Sequence, residues 1–166
     1  MADRTIIERL QPSLLDRLTD DDPDNATESR DARVITLNRL RDIVRRDLGW
    51  LLNANSLDTV LDDQETPHAV NSTLNYGIQD TSGDFATGNR AEAIRRAIAQ
   101  AISRFEPRII PGTLDVSMVA APADRGRPVV DFDIHAELWA QPLPMELYLR
   151  SQIDLTTGAL SLDKRT

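Results

Sequence analysis

Few side chains in this 166-residue chain are of the types and spacings that catalysis needs. It has two histidines, His68 and His135, and no cysteine. A thiol nucleophile, a disulfide framework and a Cys-ligated zinc site are therefore excluded. The histidines stand apart with no H-x-x-x-H spacing for a metal, and no Gly-x-Ser-x-Gly elbow supplies a nucleophile. Gly83 and Gly88 bracket a loop that lacks the Lys-Ser/Thr of a phosphate cradle. The carboxylates are more promising. Glycoside hydrolysis needs two of them about 5–9.5 Å apart, one raised in pKa by an apolar pocket. Glu106, at the end of an apolar stripe and before a proline, is the one carboxylate that reads as semi-buried. Asp131, Asp133 and Glu137 alternate with apolar neighbours and are expected on a solvated strand face. Aromatic residues are 4% of the chain, few for a sugar-stacking cleft.

The tripeptide Glu106-Pro107-Arg108 carries the most information. A carboxylate at a helix C-terminus opposes the macrodipole, so Glu106 needs a compensating partner. Pro107 pushes Glu106 toward extended backbone, and residues two apart in extended chain point to the same side. The result is a rigid acid–base pair at a helix-to-strand corner. It can serve as an intramolecular clamp or as a docking fork for another protein. Spacing alone leaves both open.

The elements that hold this corner follow from hydrophobic periodicity. Pro12-Ser13-Leu14-Leu15-Asp16-Arg17-Leu18 reads as a short amphipathic helix with a Leu14/Leu15/Leu18 face and Ser13 as cap. Ser29 is expected to open a longer helix. In it Leu37, Leu40, Val44, Leu48 and Leu51 form one stripe, Arg39, Arg41, Arg45 and Arg46 ride the polar side, and the end falls at Gly49 or a turn later. Residues 53–72 show no sustained period and contain Pro67, so an irregular stretch with one short turn or strand is expected. Asn89 is a plausible cap for a second helix with Ile94, Ile98, Ala101, Ile102 and Phe105 inward, closed by Pro107. Beyond it the pattern alternates. Leu114, Val116 and Met118 form one inner row, Val130 through Leu138 a second, and Leu147 through Leu155 a third, with Ser151 the one polar residue facing in. Turn residues join them around 121–128, 142–144 and 156–158. The fold class expected is α+β in two layers, N-terminal helices packed on a C-terminal antiparallel β-meander. Residues 1–28 read as an N-terminal segment with an acidic linker, and 29–166 as a single α+β domain.

Composition narrows the function further. The chain carries 27 acidic against 19 basic residues, net −8, with Lys164 its only lysine. Asp20–Asp31 accounts for −5 of that, so the body is nearly balanced. No basic face suits nucleic acid. No apolar h-region or membrane-length stretch is present, and a soluble cytoplasmic protein is expected.

The motif order resembles a known family. Pro12-Ser13-Leu14-Leu15-Asp16-Arg17-Leu18 comes first, then Arg46-Asp47-Leu48 with Leu51-Leu52-Asn53. Ser72-Thr73-Leu74-Asn75-Tyr76-Gly77 follows, then Phe105-Glu106-Pro107-Arg108 ahead of a strand meander. This is similar to the TssE family, the small baseplate subunits of bacterial type VI secretion systems, within the phage baseplate-wedge (lysozyme-like) proteins. The resemblance runs from about Pro12 to Gly158. It departs at Ala54-Asn55, where members commonly have Thr-Arg, and at Ile109, where Leu is common. The resemblance implies a structural role with no catalysis and no cofactor. It implies docking to the wedge proteins TssF and TssG through Glu106, Pro107 and Arg108, and help in starting the TssB/TssC sheath by strand exchange at a sheet edge. Candidate edges are the strand around Leu147–Leu155 and the Leu160–Leu162 stub. It also implies a place at the baseplate on the inner face of the cytoplasmic membrane, reached through partners. The competing reading is a peptidoglycan hydrolase attached to an injection machine, and a third is a small regulatory binder on the same fold.

Overall fold

The computed structural model describes residues 13–19, 23–24, 35–62, 64–80, 88–119, 129–140 and 144–164. Helices come first, as α1 (Leu14–Leu18), α2 (Leu37–Leu52), α3 (Pro67–Val70) and α4 (Gly88–Phe105), with a 3-10 turn at Thr73–Asn75 between α3 and α4. Strands β1 (Asp115–Val119), β2 (Val129–Leu138), β3 (Met145–Asp154) and β4 (Leu160–Lys164) follow. They form one antiparallel sheet in the order β1-β2-β3-β4. The α+β meander expected from periodicity is what the chain adopts.

The apolar stripes of the helices meet the inner face of the sheet. Leu40, Val44, Leu48, Leu51 and Leu52 of α2 and Ile94, Ile98, Ala101 and Ile102 of α4 are buried. They share one core with Val116, Phe132, Ile134, Ala136, Leu138, Leu147, Leu149 and Ile153. Burying one such side chain contributes about 1.5–3 kcal/mol, so the two layers hold each other in place. Ser151, the polar residue in the inner row, is fully buried, with its hydroxyl 3.5 Å from the Phe132 carbonyl across the ladder.

Several boundaries and faces differ from expectation. Ser29 lies outside the described residues, and the helix carrying Leu37 begins later: Thr36 is extended and its hydroxyl accepts the Arg39 N–H. The end of α2 falls as expected, one turn past Gly49 at Leu52. α4 already includes Gly88, so Asn89 lies within it and is not its cap. Among the described residues, 53–72 are irregular apart from the single turn of α3 and an isolated bridge from Asn55 to Ile78, in keeping with the short turn or strand expected there. Met118 shares the inner face but is 49% exposed at the sheet margin. The Leu14/Leu15/Leu18 face of α1 does not join the core, since Leu14 and Leu18 are more than 70% exposed. Among the outer-face acids, Asp131 is buried with the Gln152 amide on it, and Asp133 takes Arg150 at 2.9 Å. Cross-strand neighbours have neutralised or covered what alternation alone assigns to water. β3 is not an edge over residues 149–153, where it pairs β2 on one side and β4 on the other; among the described residues β4 has a strand partner on its β3 side alone.

Candidate functional site

The corner after α4 is built as the sequence requires. Glu106 N–H makes the last helical bond to the Ile102 carbonyl at 2.9 Å, and Pro107 stops the helix there. The exit is stitched to β2: Trp139 N–H donates to the Arg108 carbonyl at 2.7 Å and Ile110 N–H to the Glu137 carbonyl at 2.8 Å. Held at both ends, the tripeptide has little freedom.

Glu106 is buried, Arg108 half-buried and Pro107 exposed. The guanidinium of Arg108 grips Glu106 with both arms, Nε to Oε1 at 2.7 Å and Nη2 to Oε2 at 2.5 Å. The Arg108 backbone N–H also donates to Oε1 at 3.0 Å. These donors supply the compensation that a carboxylate at a helix C-terminus needs.

The pair does not stand alone. Arg108 Nη2 also reaches Asp47 Oδ2 at 2.7 Å. Arg46 holds the other oxygen of Asp47 with Nε at 3.0 Å and Nη2 at 2.7 Å, then extends Nη1 to Asp16 at 2.6 Å. Its guanidinium lies 4.7 Å from the centre of the Trp50 ring. The network therefore alternates in sign through Asp16, Arg46, Asp47, Arg108 and Glu106, and it ties α1 and α2 to the corner. α1 is held to the body here by a polar contact while its leucines face outward.

The charges respond to one another. Burial works against the charged form of Arg108, but the bonds and charges of Glu106 and Asp47 outweigh it and raise its pKa. Arg46 is raised chiefly by its hydrogen bond to Asp16, against a smaller burial effect. For Asp16 burial pushes upward, yet bonds from Arg46 and Ser13 hold the carboxyl below its ordinary value. Tyr76 is raised by burial and then by the negative charges of Asp47 and Glu106, which places its phenol beside the network.

The Asn75-Tyr76-Gly77 segment supports the corner from below. Tyr76 meets Phe105 edge to face with ring centres 5.4 Å apart. Asn75 is fully buried: its Oδ1 accepts the Leu57 N–H at 2.8 Å, and its Nδ2 donates to Asp58 at 2.6 Å and to the Val70 carbonyl at 3.0 Å. One amide thus pins three stretches of irregular chain. Gly77 has φ +126°, and a Cβ there would sit 2.2 Å from the Ala54 carbonyl oxygen, so the close passage of these two backbones needs glycine.

The structure thus brings Glu106, Pro107 and Arg108 together, and adds Asp16, Arg46 and Asp47, which spacing did not assign. His68 is exposed on α3, and His135 stacks on Tyr148 at 4.2 Å on the outer sheet face. Among the described residues no group of three or more acidic or histidine side chains is gathered to hold a metal.

A four-stranded antiparallel sheet backed by helices, with a motif corner fixed by alternating charges, is the frame that the chain presents for comparison with known families. The family of baseplate wedge protein gp25 matches residues 38–143, most of the chain, and the chain belongs to that family, whose domain is the one found in TssE. No curated protein and no solved structure matches the chain.

Proposed function

We propose that the chain is the wedge subunit of a type VI secretion baseplate, docking to TssF and TssG and helping to start the TssB/TssC sheath. Membership of the baseplate wedge family supports the coarse role. The observation that carries the finer one is the Glu106-Pro107-Arg108 corner, rigidly built yet with Pro107 exposed and Arg108 half-buried beside it. The internal ion pair and the docking use are compatible: the clamp fixes the shape that the partner reads. In this role the protein works in the cytoplasm against the inner face of the membrane, held there by partners. Among the described residues no helix is long and apolar enough to cross a membrane.

The geometry favours the structural reading over a hydrolase, because both Glu106 oxygens accept hydrogen bonds from Arg108. The deciding experiment is co-purification with TssF and TssG. Charge reversal at both Glu106 and Arg108 is expected to abolish it while circular dichroism shows a folded domain. Pro107→Arg, which leaves the ion network intact, is expected to weaken it as well. Undiminished capture by both variants would remove the docking role.

A further inference from the structure

Helix α2 faces the core with its leucines, but a second stripe runs along the open edge of the sheet. Arg41, Arg45 and the helix C-cap Asn53 are separated by four and eight residues, which places them in one row. The parity of the β3–β4 ladder is set by the Asp154 N–H, which donates to the Ala159 carbonyl at 3.0 Å. Ser161 and Asp163 therefore bond toward β3, while Leu160, Leu162 and Lys164 turn their N–H and C=O groups outward.

The row of side chains meets those outward groups. Asn53 Nδ2 donates to the Leu160 carbonyl at 2.9 Å, and its Oδ1 accepts the Leu160 N–H at 3.0 Å. A single amide side chain thus makes the two bonds that one residue of an added strand would make. Arg45 Nη1 approaches the Leu162 carbonyl at 3.5 Å. Beyond the last β3–β4 pair, Arg41 Nε lies 3.3 Å from the Glu146 carbonyl. These groups would otherwise present an unpaired edge, the usual template for strand pairing.

We propose that this stripe of α2 is a displaceable cover over the β3–β4 edge. It keeps the edge from pairing with a second copy of the chain, and an extended strand from a neighbouring subunit adds there by taking Leu160 away from Asn53. Displacement is easy: Asn53 is exposed, and the two arginine contacts are long. Addition of a strand by a sheath or baseplate subunit rests on the functional reading above. The cover itself concerns the isolated chain.

The test uses purified protein alone, so its outcome is separate from capture of TssF and TssG. In Asn53→Ala, hydrogen exchange at the Leu160 amide is expected to rise at least tenfold, with the Ile134 amide unchanged. The triple variant Arg41→Ala/Arg45→Ala/Asn53→Ala is expected to self-associate at least tenfold more tightly than the natural chain in sedimentation equilibrium. Adding Lys164→Pro, which removes an outward N–H without touching the β3 bonds, is expected to reverse this. Unchanged Leu160 exchange overturns the proposal, as does unchanged self-association or association that survives Lys164→Pro. If the triple variant does not fold, the exchange and sedimentation of Asn53→Ala decide.

Discussion

Removing the guanidinium of Arg108 is the sharpest test of the alternating network. In Arg108→Ala the Glu106 carboxylate, 5% exposed, loses both side-chain donors and keeps only the residue-108 backbone N–H. Stranding one member of a buried ion pair costs about 3–5 kcal/mol. Arg108 is itself 27% exposed, so water enters the vacated space and screening reduces the figure to about 2–3 kcal/mol. Glu106→Gln keeps the shape and one acceptor while Arg108 retains Asp47, so its expected cost is about 1 kcal/mol. The double variant no longer strands a charge, so it is expected to be more stable than the sum of the two predicts, by about 1–2 kcal/mol. Urea unfolding followed by circular dichroism measures all three. With a slope of about 2 kcal/mol per molar urea, Arg108→Ala should lower the midpoint by about 1 M. A shift under about 0.25 M, or strict additivity of the two changes, would refute the view that Arg108 is what makes burial of Glu106 tolerable.

Three further outcomes follow from the neighbouring structure. Gly77→Ala sets a Cβ against the Ala54 carbonyl at a positive φ and is expected to cost about 3 kcal/mol, read as a lowered thermal midpoint. Asn75→Leu strands the Leu57 N–H, while the Val70 carbonyl keeps its bond from Arg104, and is expected to cost about 1–3 kcal/mol, with proteolysis rising first in residues 53–76. Asp16 has a folded pKa below the unfolded value of about 3.9, so its contribution is full above that pH and is lost as pH falls through the folded value. Trp50 emission in a Trp139→Phe background should report release of α1 under those conditions, and Asp16→Asn should remove the transition.

The sheet was legible because its signal is local. Phe132, Ile134, Ala136 and Leu138 alternate without error, and a period of two has one physical meaning when one face is covered. The helical stripes were legible for the same reason. The start of α2 was less so, since Thr36 and Ser29 both carry a capping hydroxyl and local chemistry does not rank them. Glu106 and Arg108 could be paired from spacing because Pro107 restricts the backbone between them. Asp16, Arg46 and Asp47 could not, because Asp16 lies 30 residues and Arg108 lies 61 residues from their partners, and only the packing of α1, α2 and the corner brings them together. The exposed leucines of α1 show the limit of amphipathicity: it identifies a face, not what the face touches.

The bond between Asn53 and Leu160 joins positions 107 apart in sequence, whereas the β2–β3 ladder joins Leu138 to Met145 and then zips outward. Closing a longer loop carries a larger entropy cost, so contacts of short separation have the advantage early in folding. The hairpin is therefore expected to form before the first long helix meets the last strand. Substitutions at Asn53 should then leave the refolding rate nearly unchanged and act by hastening unfolding. The same position thereby sets how long the assembled sheet survives, and has little say in how fast it is made.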